Sequence, residues 1–167
     1  MKFSEYIDKN KYSIFVDMDG VLVDFVSGYL ELTDISKQEM DDLDDSDPES
    51  FWEPISKAGF DWWATLDWMP DGKDLWNFIE PYNPTILSAP TKIKTKTCIL
   101  GKKIWIWREI GNIPMIFEKD KYKYADDNHI LIDDTENKIS DWVAQGGIGI
   151  LHTSAKDTIE KLKNILK

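Results

Sequence analysis

Cysteine is nearly absent. Cys98 stands alone, so no disulfide can close within the chain. That fits a reducing, cytoplasmic setting. Basic residues are scarce: 20 Lys and Arg face 31 Asp and Glu, a formal net charge of -11. A polymer of phosphates is repelled by such a surface, so no polymeric nucleic acid is expected as a partner. A small phosphate ester is a different case, because a bound metal ion can supply the local positive charge it needs. Long apolar runs are missing as well. No stretch approaches the ~18 apolar residues of a membrane span, so no membrane is expected. Residues 1–10 are polar and lack the apolar centre of a signal peptide. The two histidines, His129 and His152, have no partners visible in the sequence.

What remains is a chain of 167 residues, the size of one domain with room for a modest insertion. Ile14-Phe15-Val16 is a short apolar run of buried-strand type, ending at Asp17-Met18-Asp19-Gly20. Apolar residues from 24 to 33 form roughly one helix face. An acidic segment follows from 39 to 49, with Pro48 expected to break any regular element; a solvated, mobile surface is the reading. Five of the eight tryptophans then crowd into residues 51–76. After a helix over 73–80, strand and helix alternate. Strands are expected at 85–87, 114–117, 130–132 and 148–151, with helices over 97–110, 137–145 and 155–166.

Such alternation implies a parallel sheet wrapped by helices on both faces. In these sheets ligands bind beyond the carboxyl ends of the strands. Three strands end in polar residues there: Asp17, Ser88, and the pair Asp133-Asp134. Asp17 and Asp19 lie two apart and precede a glycine, which allows a tight turn close to a ligand. If those strands are neighbours, four acids converge and raise one another's pKa. A divalent cation with hard oxygen ligands relieves this, and Mg²⁺ suits such a site.

Asp17-Met18-Asp19-Gly20-Val21 resembles the first motif of the haloacid dehalogenase (HAD) superfamily of phosphatases. Ser88 after Ile86-Leu87 resembles the second, a lysine before the last acidic pair the third, and Asp133-Asp134 the fourth. The ordered set covers roughly residues 12–152. A closer likeness is to the 5′(3′)-deoxyribonucleotidase branch. It is carried by Asp17 through Phe25, Leu87-Ser88-Ala89-Pro90, Ile130 through Asp134, and Trp142 with Gly146-Gly147.

The resemblance implies an HAD-like Rossmannoid α/β core, residues 1–25 and 69–167, with a small, helical, aromatic-rich cap over 26–68. It implies a magnesium-dependent phosphomonoesterase acting on (deoxy)nucleoside monophosphates. Asp17 is then the nucleophile that becomes an aspartyl-phosphate, and Asp19 the acid and base. Mg²⁺ is held by the Asp17 carboxylate, the Asp19 backbone carbonyl and Asp134, with Asp133 behind them. Ser88 and neighbouring backbone, including Ala89, hold the phosphate. The lysine that balances transition-state charge is Lys121 or Lys123. Lys121 has the family's spacing to Tyr124-Ala125, while the count to Asp133 also admits Lys123. Phe25, Trp52 and Trp63 are the candidates for a nucleobase pocket.

Blander readings stand beside these. A strand-end Asp can be a helix cap, Ser88 a turn residue, and the tryptophans simple packing. Cys98 reads as inert helix packing. Lys92, Lys94, Lys96, Lys102 and Lys103 give positive potential near the site mouth or are helix surface. Two other functions compete: a phosphatase of another small ester such as a sugar phosphate, and a non-catalytic binding domain that kept the fold.

Overall fold

The computed structural model describes residues 11–167. The polar stretch 1–10 lies outside them. Five strands form one parallel sheet: β1 (Ser13–Val16), β2 (Thr85–Ser88), β3 (Met115–Phe117), β4 (His129–Asp133) and β5 (Ile148–Leu151). Their spatial order is β3-β2-β1-β4-β5, with β1 in the centre. The expected α/β architecture is therefore present.

Strand side chains alternate between two apolar layers, as the period of two requires. Ile14, Val16, Ile86, Ile130, Ile132 and Ile150 point into the larger core. Phe15, Leu87 and Leu131 point the other way, onto Trp142 and Ile139 of α7 (Glu136–Ala144). Both faces are covered, which is why these strands read as continuous apolar runs rather than alternating ones. The larger core also takes residues from α5 (Gly72–Ile79), α6 (Thr95–Glu109) and α8 (Ala155–Ile165).

Four helices stand between β1 and α5: α1 (Phe25–Thr33), α2 (Lys37–Ser46), α3 (Pro48–Ala58) and α4 (Phe60–Thr65). Their buried residues Tyr29, Met40, Phe51, Ile55 and Trp63 run on without a break into the sheet core. Asp24 caps α1, its carboxylate accepting from the Ser27 backbone N–H at 3.0 Å and the Ser27 hydroxyl at 2.7 Å. Helix α4 lies close against α6 at Gly101. A Cβ there would stand 2.4 Å from both the Phe60 carbonyl and the Trp63 Cβ.

The acidic segment corrects one expectation. Residues 39–49 are not irregular: most belong to α2, and Pro48 opens α3 at its first position, where the missing N–H costs nothing. Ser36 and Glu39 form a reciprocal capping box that starts α2. Among the described residues, no helix is long and apolar enough to cross a membrane.

Candidate active site

Parallel pairing decides what meets at the carboxyl edge. Val16 is in register with Ile86 on one side and Ile132 on the other. Asp17 after β1 and Asp133 at the end of β4 are therefore brought side by side, and Ser88, two residues past Ile86, closes β2 on the other flank. The Asp17 backbone N–H donates to the Ile132 carbonyl at 2.9 Å, which fixes the turn. Beyond it the chain folds back on the Met18 carbonyl, which accepts from the N–H groups of Val21, Leu22 and Val23. Gly20 adopts φ +77°, and a Cβ on it would lie 2.0 Å from Asp134 Oδ2. Only glycine lets the two loops approach this closely.

On the β4 side, Lys121 sits in the 3₁₀ helix Lys121–Tyr124 and is 2% exposed. Its Nζ lies 2.9 Å from Asp17 Oδ1 and 2.5 Å from Asp133 Oδ2. Burial works against its charge, but Asp17 and Asp133 outweigh that and hold its pKa above the ordinary lysine value. The second Asp133 oxygen accepts from the Thr135 N–H at 2.9 Å. Burial, then the charge of Asp17, raises the Asp133 pKa against the pull of Lys121. Among the described residues Asp134 has no such cation. Burial, then Asp17 and Asp133, push it up to about 7. Oxygens of Asp17, Asp133 and Asp134 all lie within 4.8 Å of one another. Three carboxylates around one ammonium leave negative charge over, and an all-oxygen donor set of this kind fits Mg²⁺.

On the opposite side, Asp19 turns away from that cluster. Its Oδ2 accepts from Lys102 Nζ at 2.7 Å, while its Oδ1 is buried without a hydrogen-bond partner among the described residues. Burial raises the Asp19 pKa, Lys102 opposes this, and Asp17 adds to it. Lys102 is 1% exposed and also donates to Ser88 Oγ at 2.8 Å and the Ala89 carbonyl at 3.1 Å. Its pKa is raised although burial lowers it, because Asp19, Cys98 and Asp17 favour the charge.

A cavity of about 640 Å³ opens onto Asp19. Ala89, Pro90, Thr91 and Ile93 line one wall; Pro48, Trp52 and Trp63 from the inserted helices line another. Lys92, Lys119, Lys138 and Glu49 stand around it.

The structure thus brings together Asp17, Asp19, Ser88, Lys121, Asp133 and Asp134, with Ala89, Trp52 and Trp63 on the adjoining cavity. Two named residues lie elsewhere. Lys123 is exposed and pairs with Glu118 and Asp120, each at 3.2 Å. Phe25 packs inside an aromatic cluster with Tyr29, Phe51 and Trp62, and does not line the cavity. Cys98 is buried, and burial raises its thiol pKa. Trp105 and Trp142 are fully buried, their indole N–H groups donating to the Leu66 carbonyl at 2.8 Å and the His129 carbonyl at 3.3 Å.

By composition alone Lys102 does not stand out from its lysine-rich surroundings. The signal was present: Cys98, Gly101, Lys102, Trp105 and Ile106 follow helical spacing, and all are buried. A lysine on the apolar stripe of a helix needs a partner.

No family model matches the chain, and no curated protein matches it. Solved structures do. A hydrolase from Streptococcus pneumoniae is similar at 15% identity and TM-score 0.54, over 92% of this chain and 99% of that one. A hydrolase from Pseudomonas syringae is similar at 15% identity and TM-score 0.50, with the same coverages. A candidate phosphoglycolate phosphatase from Lactobacillus plantarum is similar at 10% identity and TM-score 0.51, over 84% and 85%. At these identities the likeness establishes a shared fold, and it extends over nearly the whole of each hydrolase.

Proposed function

We propose that this chain is a metal-dependent phosphatase of the HAD superfamily, hydrolysing a small phosphate monoester. A nucleoside or deoxynucleoside monophosphate is the substrate we favour. The observation carrying this reading is the convergence of Asp17, Asp19, Ser88, Lys121, Asp133 and Asp134 at the ends of three adjacent strands. A shared fold with hydrolases agrees with it.

In this reading the Asp17 carboxylate attacks phosphorus. The ester P–O bond breaks as Asp19 gives its proton to the departing alcohol oxygen. Asp19, now a carboxylate, takes a proton from water, which attacks the aspartyl-phosphate and frees Asp17 and inorganic phosphate. Burial that raises the Asp19 pKa suits the first of its two roles. Ser88 donates its hydroxyl to a phosphoryl oxygen, and Lys121 offsets charge on the transition state.

Mg²⁺ would be held by Asp17, Asp134 and the Asp19 backbone carbonyl, and would neutralise the phosphoryl oxygens. Asp134 is preferred over Asp133, whose two oxygens already accept from Lys121 and Thr135. Residues 26–68 act as the cap, with Trp52 and Trp63 flanking the bound base. Phe25 shapes that wall from behind, through its packing on both tryptophans at 6.1 and 5.9 Å between ring centroids. A second reading has support in Lys92, Lys119 and Lys138 around the cavity: a more anionic ester, such as a sugar phosphate with a further charge.

A panel of phosphate esters at low concentration, with Mg²⁺, separates the two. Nucleotides should lead by kcat/KM. Asp17→Asn and excess chelator should each abolish phosphate release. Full activity in chelator ends the metal reading, and a lead for sugar phosphates ends the nucleotide one.

A further inference from the structure

Lys102 differs from the other lysines near the cavity. It reaches 83 residues back along the chain to Asp19, and its ammonium is spent on three acceptors: Asp19 Oδ2 at 2.7 Å, Ser88 Oγ at 2.8 Å and the Ala89 carbonyl at 3.1 Å. An ammonium has three protons, so none is left over. Trp63 covers it further, its ring centroid 5.0 Å from Nζ. With 1% exposure, the group is walled off from anything that enters the cavity.

Each contact has a directional consequence. Holding Asp19 by Oδ2 fixes the plane of a carboxyl that lines the cavity. Occupying a lone pair of Ser88 Oγ means the hydroxyl hydrogen must point elsewhere. Both residues stand near Asp17 at the strand ends.

We propose that Lys102 is a positioning residue: it fixes the Asp19 carboxyl at the cavity so that it delivers its proton to the leaving alcohol, and it fixes Ser88 as a donor to the phosphoryl group. This rests on the phosphatase reading above. Lys102 touches neither substrate nor reacting atoms and acts only through its neighbours. The step it serves is balanced. The Asp17 carboxylate forms the new P–O bond, the ester P–O bond breaks, and the Asp19 proton moves to the alcohol oxygen.

The test uses leaving groups that differ in their need for a proton. A nucleoside 5′-phosphate releases an alkoxide-type oxygen and needs the acid. p-Nitrophenyl phosphate releases a stabilised phenolate and does not. The full-length chain with Mg²⁺ is compared with Lys102→Met, whose length keeps the packing on Trp63, and with Lys102→Gln as a second uncharged variant if the first does not fold. General acid catalysis contributes about 10²–10⁴-fold. A folded variant should therefore lose about 10²-fold or more in kcat/KM on the nucleotide and less than about 10-fold on p-nitrophenyl phosphate. Adding the substitution to Asp19→Asn should bring little further loss on the nucleotide, because both act on one step. Equal losses on both esters would mean a structural or phosphate-binding role and overturn the inference, while the phosphatase reading stands. A wild-type chain that hydrolyses neither ester removes both.

Discussion

The two sides of the site hold their charge differently. On the β4 side one ammonium, Lys121, serves Asp17 and Asp133, and Asp134 stands beside them without a cation. On the α6 side one ammonium, Lys102, serves one carboxylate, Asp19, and its remaining bonds go to a hydroxyl and a carbonyl. The first side is short of positive charge and the second is balanced. On the proposed reading a cation completes the β4 side, while the α6 side holds one carboxyl still. On the proposed reading this divides the work: phosphoryl charge is managed around Asp134, and proton transfer around Asp19.

Removing the ammonium of the β4 side should have the largest effect. Lys121→Met leaves two buried carboxylates facing each other, and breaking a buried pair costs about 3–5 kcal/mol. Denaturant melts should show that loss, with activity down by about 10²-fold or more. A variant as stable as the parent would mean that Asp17 and Asp133 do not share a buried charge.

Next comes Gly20→Ala, which touches only the β4 side. Its methyl would collide with Asp134 Oδ2 on a backbone at φ +77°. Displacing that carboxylate should weaken Mg²⁺ activation by about 10–100-fold, the range seen when the support of a metal ligand is lost. Titrating activity against Mg²⁺ measures it. The response to changing the leaving group should stay as in the parent.

Trp52→Ala probes the cavity beside the α6 side. Stacking on an aromatic ring is worth about 1–3 kcal/mol per base. KM for nucleotides should rise by about 10-fold, with p-nitrophenyl phosphate less affected. Equal effects would take Trp52 out of base recognition and leave it as packing.

The smallest effect concerns pH. In chelator, the Asp134 carboxyl is pushed up to about 7, above its unfolded value. A raised folded pKa gives stability that is complete below the unfolded value near 3.8 and is lost as pH climbs through about 7. Asp134→Asn removes this slope. The Tm difference, wild type minus variant, should shrink as pH rises across that window, and Mg²⁺ should restore the wild type at the upper end.

The acids and the serine at the strand ends were legible in the sequence because topology fixes them. A parallel strand must end somewhere, and Asp17, Ser88 and Asp133 mark those ends whatever the helices do. The α6 side was less legible, because helix packing makes it. Lys102 stands between Gly101 and Lys103, in a stretch where Lys92, Lys94 and Lys96 read equally as site-mouth charge or helix surface. Only the spacing Cys98-Gly101-Lys102-Trp105-Ile106 marks it as inward-facing. The acidic segment misled for a related reason. Pro48 reads as a breaker in isolation, yet it is the first residue of α3, and Ser36 with Glu39 starts α2 as a capping box. Among the aromatics, composition revealed the cluster but not its order. Trp52 and Trp63 reach the cavity, whereas Phe25 lies behind them.

The central claim is that Asp17 takes the phosphoryl group. Incubating the protein with Mg²⁺ and a good ester, quenching in acid and mapping peptides by mass tests it directly. One phosphoryl group should appear on the peptide carrying Asp17 and vanish in Asp17→Asn. A phosphoryl group on another residue, or rapid turnover by Asp17→Asn, would contradict the account.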